Sequence, residues 1–89
     1  MSQEDKQSPE RSVTVLYFSV LRERRGLDEE TLTTRSETCE ALYQELNDRY
    51  GFNMETRQLR VAVNDQFVDW QRVLRDGDKV AFLAPVSGG

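Results

Sequence analysis

The segment VTVLYFSV at residues 13–20 is apolar on both of its alternating sides. Its β-branched and aromatic residues predict a strand. Alternation divides five of its side chains between two faces, with Val13, Val15 and Tyr17 on one and Leu16 and Phe18 on the other. A strand with one face in water alternates apolar and polar residues. We therefore expect the second face to be either covered within the domain or left for a partner.

Apolar positions recur at intervals of three and four between Thr38 and Gly51, which predicts an amphipathic helix. Thr38 is a residue type that caps a first helical turn, and Gly51 is one that ends a helix. The apolar stripe consists of Cys39, Leu42, Leu46 and Tyr50. We expect this stripe to pack against the strand residues Val13, Val15, Tyr17, Val63, Val80 and Phe82.

The other apolar runs are short and are separated by turn residues, a pattern typical of strands. The predicted elements are a helical turn over 21–26 closed by Gly26, an edge strand over 29–34, a hairpin over 59–70 turning at Asn64-Asp65, and a last strand over 79–84. One helix on one face of a mixed sheet of about five strands is an α+β architecture. Asp76 and Asp78 flank Gly77, so we assign them to a turn.

Residues 1–12 contain no apolar residue after Met1, so we predict a disordered N-terminal arm. The folded domain is predicted to span 13–85, and a flexible tail to span 86–89. The arm is polar and mixed in charge, unlike a signal peptide, and no apolar run approaches the roughly 18 residues of a membrane span. We expect a cytoplasmic protein that does not associate with a membrane.

Composition excludes several kinds of chemistry. A net charge of −4 argues against nucleic-acid binding, which requires a basic surface. The chain has no histidine, so a Ser-His or Cys-His nucleophile pair is excluded. The single cysteine, Cys39, forms neither an internal disulfide nor a cysteine metal site by itself. Since Cys39 lies on the apolar stripe, we expect it to be a buried core residue.

Three apolar residues are predicted to form an interface. Tyr17 and Phe82 are expected to face the helix, so alternation sends Phe18 and Leu83 to the opposite face. Phe67, just beyond the hairpin turn, is expected to join them. A contiguous apolar patch on an exposed sheet face marks an interaction site. Because the chain has too few elements to cover both faces, we predict that a partner binds this patch.

Several segments together resemble the small, sulfur-carrying subunit of molybdopterin synthase. They are VLYFSVLRERRG, the helix opening at Thr38, VAVNDQFV, and L-x-DGD-x-VAFLAPVSGG with its Gly-Gly end. The resemblance runs from Val13 to Gly89, and its most specific part is the tail PVSGG joined to DGD-x-V. The chain departs from the family at Ala84, where a second proline commonly precedes Pro85.

The resemblance implies a ubiquitin-like β-grasp fold and a role as a sulfur donor that is not itself catalytic. An E1-like adenylyltransferase and sulfurtransferase would use ATP and Mg to activate the carboxylate of Gly89, preceded by Gly88, and convert it to a thiocarboxylate. The large synthase subunit would then pass the sulfur to a cyclic pterin precursor of the molybdenum cofactor. This chain is expected to bind no cofactor or metal of its own.

The tail composition suits such a role. Glycine allows a backbone to approach closely and to adopt any required conformation, so Gly88 and Gly89 can enter a narrow channel. Pro85 would stiffen the exit of the tail. Ser87 is small and keeps the last stretch thin. Pro85, Val86 and Ser87 are therefore included in the predicted partner interface.

Three other functions remain open. One is sulfur carriage for thiamine or tRNA thiolation, which fold and tail do not separate from the molybdopterin pathway. Another is a ubiquitin-like modifier that joins Gly89 to lysine through an isopeptide bond. The last is a β-grasp interaction domain with an idle tail. The apolar patch and the PVSGG tail favour molybdopterin synthase among the carriers.

Overall fold

The computed structural model describes residues 9–84. The strands are β1 (Arg11–Tyr17), β2 (Glu29–Thr34), β3 (Arg60–Val63), β4 (Gln66–Val68) and β5 (Lys79–Leu83). The helices are α1 (Ser19–Arg25), α2 (Cys39–Tyr50) and a short 3-10 helix (Thr56–Gln58). The predicted tail residues Pro85, Val86, Ser87, Gly88 and Gly89, and residues 1–8 of the predicted arm, lie outside the described residues.

The five strands form one mixed sheet in the order β2-β1-β5-β3-β4. β1 pairs in parallel with β5 at the centre and antiparallel with β2, while β3 pairs antiparallel with both β5 and β4. With α2 packed on one face, this is the α+β, ubiquitin-like β-grasp fold that the resemblance implied. Neither α1 nor α2 is long and apolar enough to cross a membrane.

The core lies between α2 and one face of the sheet. Cys39, Leu42 and Leu46 of the predicted stripe are fully buried, and Tyr50 is half-buried. The six strand residues predicted to meet the stripe are each at most 2% exposed. Phe52, which follows α2, is also fully buried, with its ring centre 6.0 Å from that of Tyr43.

The first strand begins at Arg11, so the predicted domain start at Val13 is wrong by two residues. The guanidinium of Arg11 donates to the carbonyl of Ser36 at 2.6 Å. The Ser12 N–H donates to Asp76 Oδ1, also at 2.6 Å. These bonds, together with the pairing of Arg11 and Ser12 with Thr34 and Thr33 of β2, extend the strand into the predicted arm.

The same strand ends at Tyr17, earlier than the predicted position 20. Ser19 has a φ of 53°, a left-handed conformation that turns the chain sharply into α1. The helical segment predicted over 21–26 therefore begins two residues earlier. Gly26, with a φ of 81°, closes it as predicted.

Local sequence signals correctly predicted α2 and the hairpin formed by β3 and β4. Thr38 Oγ1 accepts the Ala41 N–H at 3.1 Å, and Gly51 ends α2 with a φ of 67°. Asn64 and Asp65 have φ values of 52° and 74°, which is the primed turn of a two-residue hairpin. The predicted helix and hairpin are both confirmed.

Candidate partner interface

The sheet face turned away from α2, which we call the outer face, carries an apolar row across four strands. In strand register, Leu16 is paired with Ala81, Ala81 with Ala62, and Ala62 with Phe67. All four side chains point to the outer face because directly paired residues share a side of the sheet. Along this row Phe67 is exposed, Leu16 and Ala62 are half-buried, and Ala81 is 9% exposed.

The row widens into a patch at one end of the sheet. We define the outer patch as Leu16, Phe18, Ala62, Phe67, Ala81 and Leu83, which line one depression of about 190 Å³. Phe67 is 70% exposed and Phe18 is 40% exposed, while Leu83 is half-buried. The structure thus brings together the three interface residues predicted within its described range.

Polar residues surround the outer patch. Lys79 and Asp65 lie at one margin of the depression. Arg60 is paired in register with Leu83, and Glu29 with Leu16. An apolar centre with a polar rim is the usual composition of a protein–protein interface.

The backbone turn after β1 positions Phe18. Phe18 is the N-cap of α1, and its carbonyl accepts the Leu21 N–H at 3.1 Å. Leu21 is fully buried and holds α1 to the core. The left-handed Ser19 lies between these two residues. Phe18 is therefore held at the end of the outer patch by a helix that is itself anchored.

An ion pair ties α1 to the edge of the sheet. Arg25 donates to both oxygens of Glu30, at 2.9 and 2.7 Å, and its guanidinium lies 4.0 Å from the centre of the Tyr50 ring. The Tyr17 hydroxyl donates to the same carboxylate at 2.7 Å. The bonds from Arg25 and Tyr17 lower the pKa of Glu30, although burial opposes them. Burial, and then the bond to Glu30, raise the pKa of Tyr17.

A buried carboxylate joins the hairpin to the start of β5. Asp78 is 5% exposed and accepts hydrogen bonds from Asn64 at 3.0 Å, Arg72 at 2.8 Å and the Arg75 N–H at 2.8 Å. Burial raises the pKa of Asp78, but these bonds outweigh it and hold the pKa below its ordinary value. Asp78 was predicted from the sequence to be a turn residue, and its role as a shared hydrogen-bond acceptor was not predicted. The sequence feature that pointed to this role was Asn64, a polar turn residue whose hydrogen-bond partner, Asp78, lies 14 positions further along the chain.

Cys39 is fully buried, as predicted. Burial is the main reason that its pKa is raised to about 11. The thiol is therefore protonated at neutral pH and is a weak nucleophile. Among residues 9–84 no group of histidine, cysteine and acidic side chains is arranged to hold a metal ion.

The last described residues lead from β5 towards the predicted tail. Leu83 ends β5 and belongs to the outer patch, and Ala84 packs partly against the core. The predicted site residues Gly88 and Gly89 follow beyond the described range. The described part of the chain therefore ends next to the outer patch.

The sequence of this chain is similar to those of known proteins. The model of the ThiS family matches residues 15–89. A protein of Escherichia coli (strain K12), the molybdopterin synthase sulfur carrier subunit, is 39% identical over 80 residues, covering 86% of this chain and 99% of that protein.

Solved structures agree with the fold. A Pyrococcus furiosus structure, described as putative molybdopterin converting factor subunit 1, superimposes with a TM-score of 0.73 at 29% identity, covering 85% of this chain and 99% of that one. A Helicobacter pylori structure, a complex of subunits 1 and 2 of molybdopterin-converting factor, gives a TM-score of 0.58 at 26% identity, covering 88% and 99% of the two chains.

Proposed function

Because this chain belongs to the ThiS family, we propose that it is the sulfur-carrier subunit of a molybdopterin synthase. The observation that carries the proposal is its 39% identity, over 86% of its length, to a carrier subunit of that enzyme. The compartment we propose is the cytosol.

The proposed chemistry takes place at the carboxylate of Gly89. A carboxylate oxygen attacks the α-phosphorus of ATP on an E1-like partner that holds ATP and Mg, and pyrophosphate leaves. A donor of sulfide-level sulfur then attacks the acyl carbon and displaces AMP, which forms the thiocarboxylate. In the large subunit the thiocarboxylate sulfur attacks a carbon of the cyclic pterin precursor, and a carbon–oxygen bond at that carbon breaks so that the oxygen leaves with its electron pair. Water cleaves the acyl–sulfur bond, which restores the carboxylate and leaves the sulfur on the pterin.

In this proposal the chain donates sulfur and its partners supply the catalysis. It has no histidine to act as a general base. Its one thiol, that of Cys39, is buried with a raised pKa and is poorly suited to carry a persulfide. Sulfur carriage is therefore assigned to the tail.

The proposed contact with the large subunit is the outer patch. An exposed apolar surface with a polar rim suits association with another protein. The H. pylori structure is a complex of two subunits of its converting factor, and we propose an analogous pairing for this chain. The patch includes Leu83, the last residue of β5, so a partner bound there would lie close to the point where the predicted tail begins.

Reconstitution tests the proposal. The purified chain is incubated with the E1-like enzyme, ATP, Mg and a sulfide donor, and its intact mass is measured. We expect exchange of one oxygen for sulfur at Gly89, which is lost again when the large subunit and pterin precursor are added. A control reaction without ATP should show no exchange. An unchanged mass would make the carrier proposal wrong, whereas linkage to lysine would identify a protein modifier.

A further inference from the structure

The centre of the outer patch is concave. Ala62 and Ala81 are directly paired across β3 and β5, so the two smallest side chains of the patch lie side by side. Larger side chains stand on either side of them, with Leu16 paired to Ala81 and Phe67 paired to Ala62. The two alanines are thus the floor of the depression, and the larger residues are its walls.

The size of the depression suits a single apolar side chain. Its volume is about 190 Å³. An engineered cavity of about 150 Å³ lined by apolar side chains binds benzene. The depression therefore has room for a group the size of a phenylalanine ring or a leucine side chain. An aromatic or aliphatic side chain that fills a pocket is a common anchor at the centre of a protein interface.

The position of the tail restricts which molecule covers the depression. Leu83 is both a wall of the depression and the last residue of β5. Each extended residue spans at most about 3.6 Å, so the six residues from Ala84 to Gly89 reach roughly 20 Å. A protein that receives Gly89 in its active site must therefore lie close to the depression. In the proposed function both the E1-like enzyme and the large subunit receive Gly89. We take the large subunit as the occupant because the related H. pylori structure is a complex of two converting-factor subunits, so this step rests on the proposed function.

We infer that the depression over Ala62 and Ala81 is a socket that receives one apolar side chain of the large subunit. If the large subunit instead bound a flat apolar patch, binding would require only exposed hydrophobic area. Insertion into a socket requires the alanines to remain small. The two possibilities give opposite predictions for a substitution that enlarges the floor.

Ala81→Leu and Ala62→Leu are the discriminating variants, because each adds apolar area while filling the depression. Thr33→Leu is the matched control, since Thr33 is exposed on β2 and paired with Ser12, away from the socket. Binding of the full-length variants to the purified large subunit is measured by titration calorimetry. Melting curves and circular dichroism verify folding, and two independent floor variants guard against one that fails to fold.

We expect both floor variants to fold and to bind roughly tenfold or more weakly, since a blocked cavity forces the interface apart. The control should bind as the wild type does. Floor variants that bind as well as the wild type or better would overturn the socket and leave the carrier proposal intact. A wild-type chain that does not bind the large subunit would overturn both. Self-association of the wild type through the patch, detected by sedimentation and abolished by Ala81→Leu, would assign the socket to a second copy and also overturn the inference.

Discussion

Asn64 Nδ2 donates to Asp78 Oδ1 at 3.0 Å, which joins the hairpin turn to the residue before β5. The Asn64 Oδ1 in turn accepts the Lys79 N–H at 3.0 Å. The same hairpin presents Phe67, and β5 presents Leu83. This pair of residues therefore stabilises two strands that together carry part of the outer patch.

Replacing the buried carboxylate should destabilise the fold. Asp78→Ala removes the shared acceptor of Asn64, Arg72 and the Arg75 N–H, so we expect a loss of about 2–4 kcal/mol in the free energy of unfolding. Urea titration followed by circular dichroism measures it. Asp48→Ala, at an exposed position on α2, is the control and should change stability by less than about 0.5 kcal/mol. Equal stability of the two variants would contradict a structural role for Asp78.

Stability should fall in acid, and Asp78 should account for part of the fall. Its pKa is lower in the folded protein than the value of about 3.9 for an unperturbed aspartate. Its contribution is therefore complete above about pH 5 and is lost as the pH falls through the folded pKa. We expect Asp78→Asn to be less stable at neutral pH but to lose less stability between about pH 5 and pH 2. If the free energies of unfolding of wild type and variant changed in parallel with pH, Asp78 would have the same pKa in the folded and unfolded states.

Charging the outer patch should prevent association without unfolding the domain. Phe18→Lys or Leu83→Lys places an ammonium group at the proposed interface, where its desolvation should cost several kcal/mol of binding energy. Gel filtration with the large subunit measures complex formation. The control is Val73→Lys, because Val73 is 56% exposed and is bridged to Thr38 at the start of α2. Unfolding of the Phe18 or Leu83 variant alone would instead identify that side chain as part of the core.

Shortening the tail should abolish sulfur transfer without changing folding or binding to the large subunit. Deletion of Gly89 leaves an equivalent carboxylate about 3.3–3.6 Å short of its position. Misplacement by about 1 Å can cost on the order of a hundredfold in rate. The variant should fold and bind the large subunit but fail in pterin sulfuration, as should a chain with one residue added after Gly89. Wild-type sulfuration by both would refute the assignment of Gly89.

Two truncations should differ in stability. Deletion of residues 2–8 removes no apolar residue and should leave the melting temperature nearly unchanged. Deletion of 2–12 also removes the hydrogen bonds of Arg11 to Ser36 and of Ser12 to Asp76, so we expect a further loss of about 1–3 kcal/mol. Thermal unfolding of the two proteins measures the difference. Identical melting temperatures would mean that the first two residues of β1 contribute nothing.

Part of the structure follows from neighbouring residues alone. The helix from Cys39 to Tyr50 was predictable because its periodicity, its Thr38 cap and its Gly51 end are all local. The turn at Asn64-Asp65 was predictable because these residue types tolerate positive φ. Strand alternation likewise separated the core-facing Tyr17 from Phe18 on the outer patch.

Other features depend on residues far apart in the chain. The start of β1 depends on pairing with β2 and on the bond between Ser12 and Asp76, which are 64 positions apart. Phe52 is buried because its ring meets Tyr17 and Tyr43 in the folded protein. Asp78 had a sufficient local explanation in its turn, and only folding brought Asn64 and Arg72 to it.

The proposed interface likewise depends partly on local sequence and partly on the tertiary structure. The sequence by itself determined that Phe18, Phe67 and Leu83 are apolar and that Phe18 and Leu83 belong on the face away from the helix, because side-chain direction follows from position along a strand. Only the tertiary structure decided that Ala62 lies beside Ala81, because that pairing depends on the register between β3 and β5. Register is set by the packing of the whole sheet, and a shift of one residue would move every side chain of the strand to the other face.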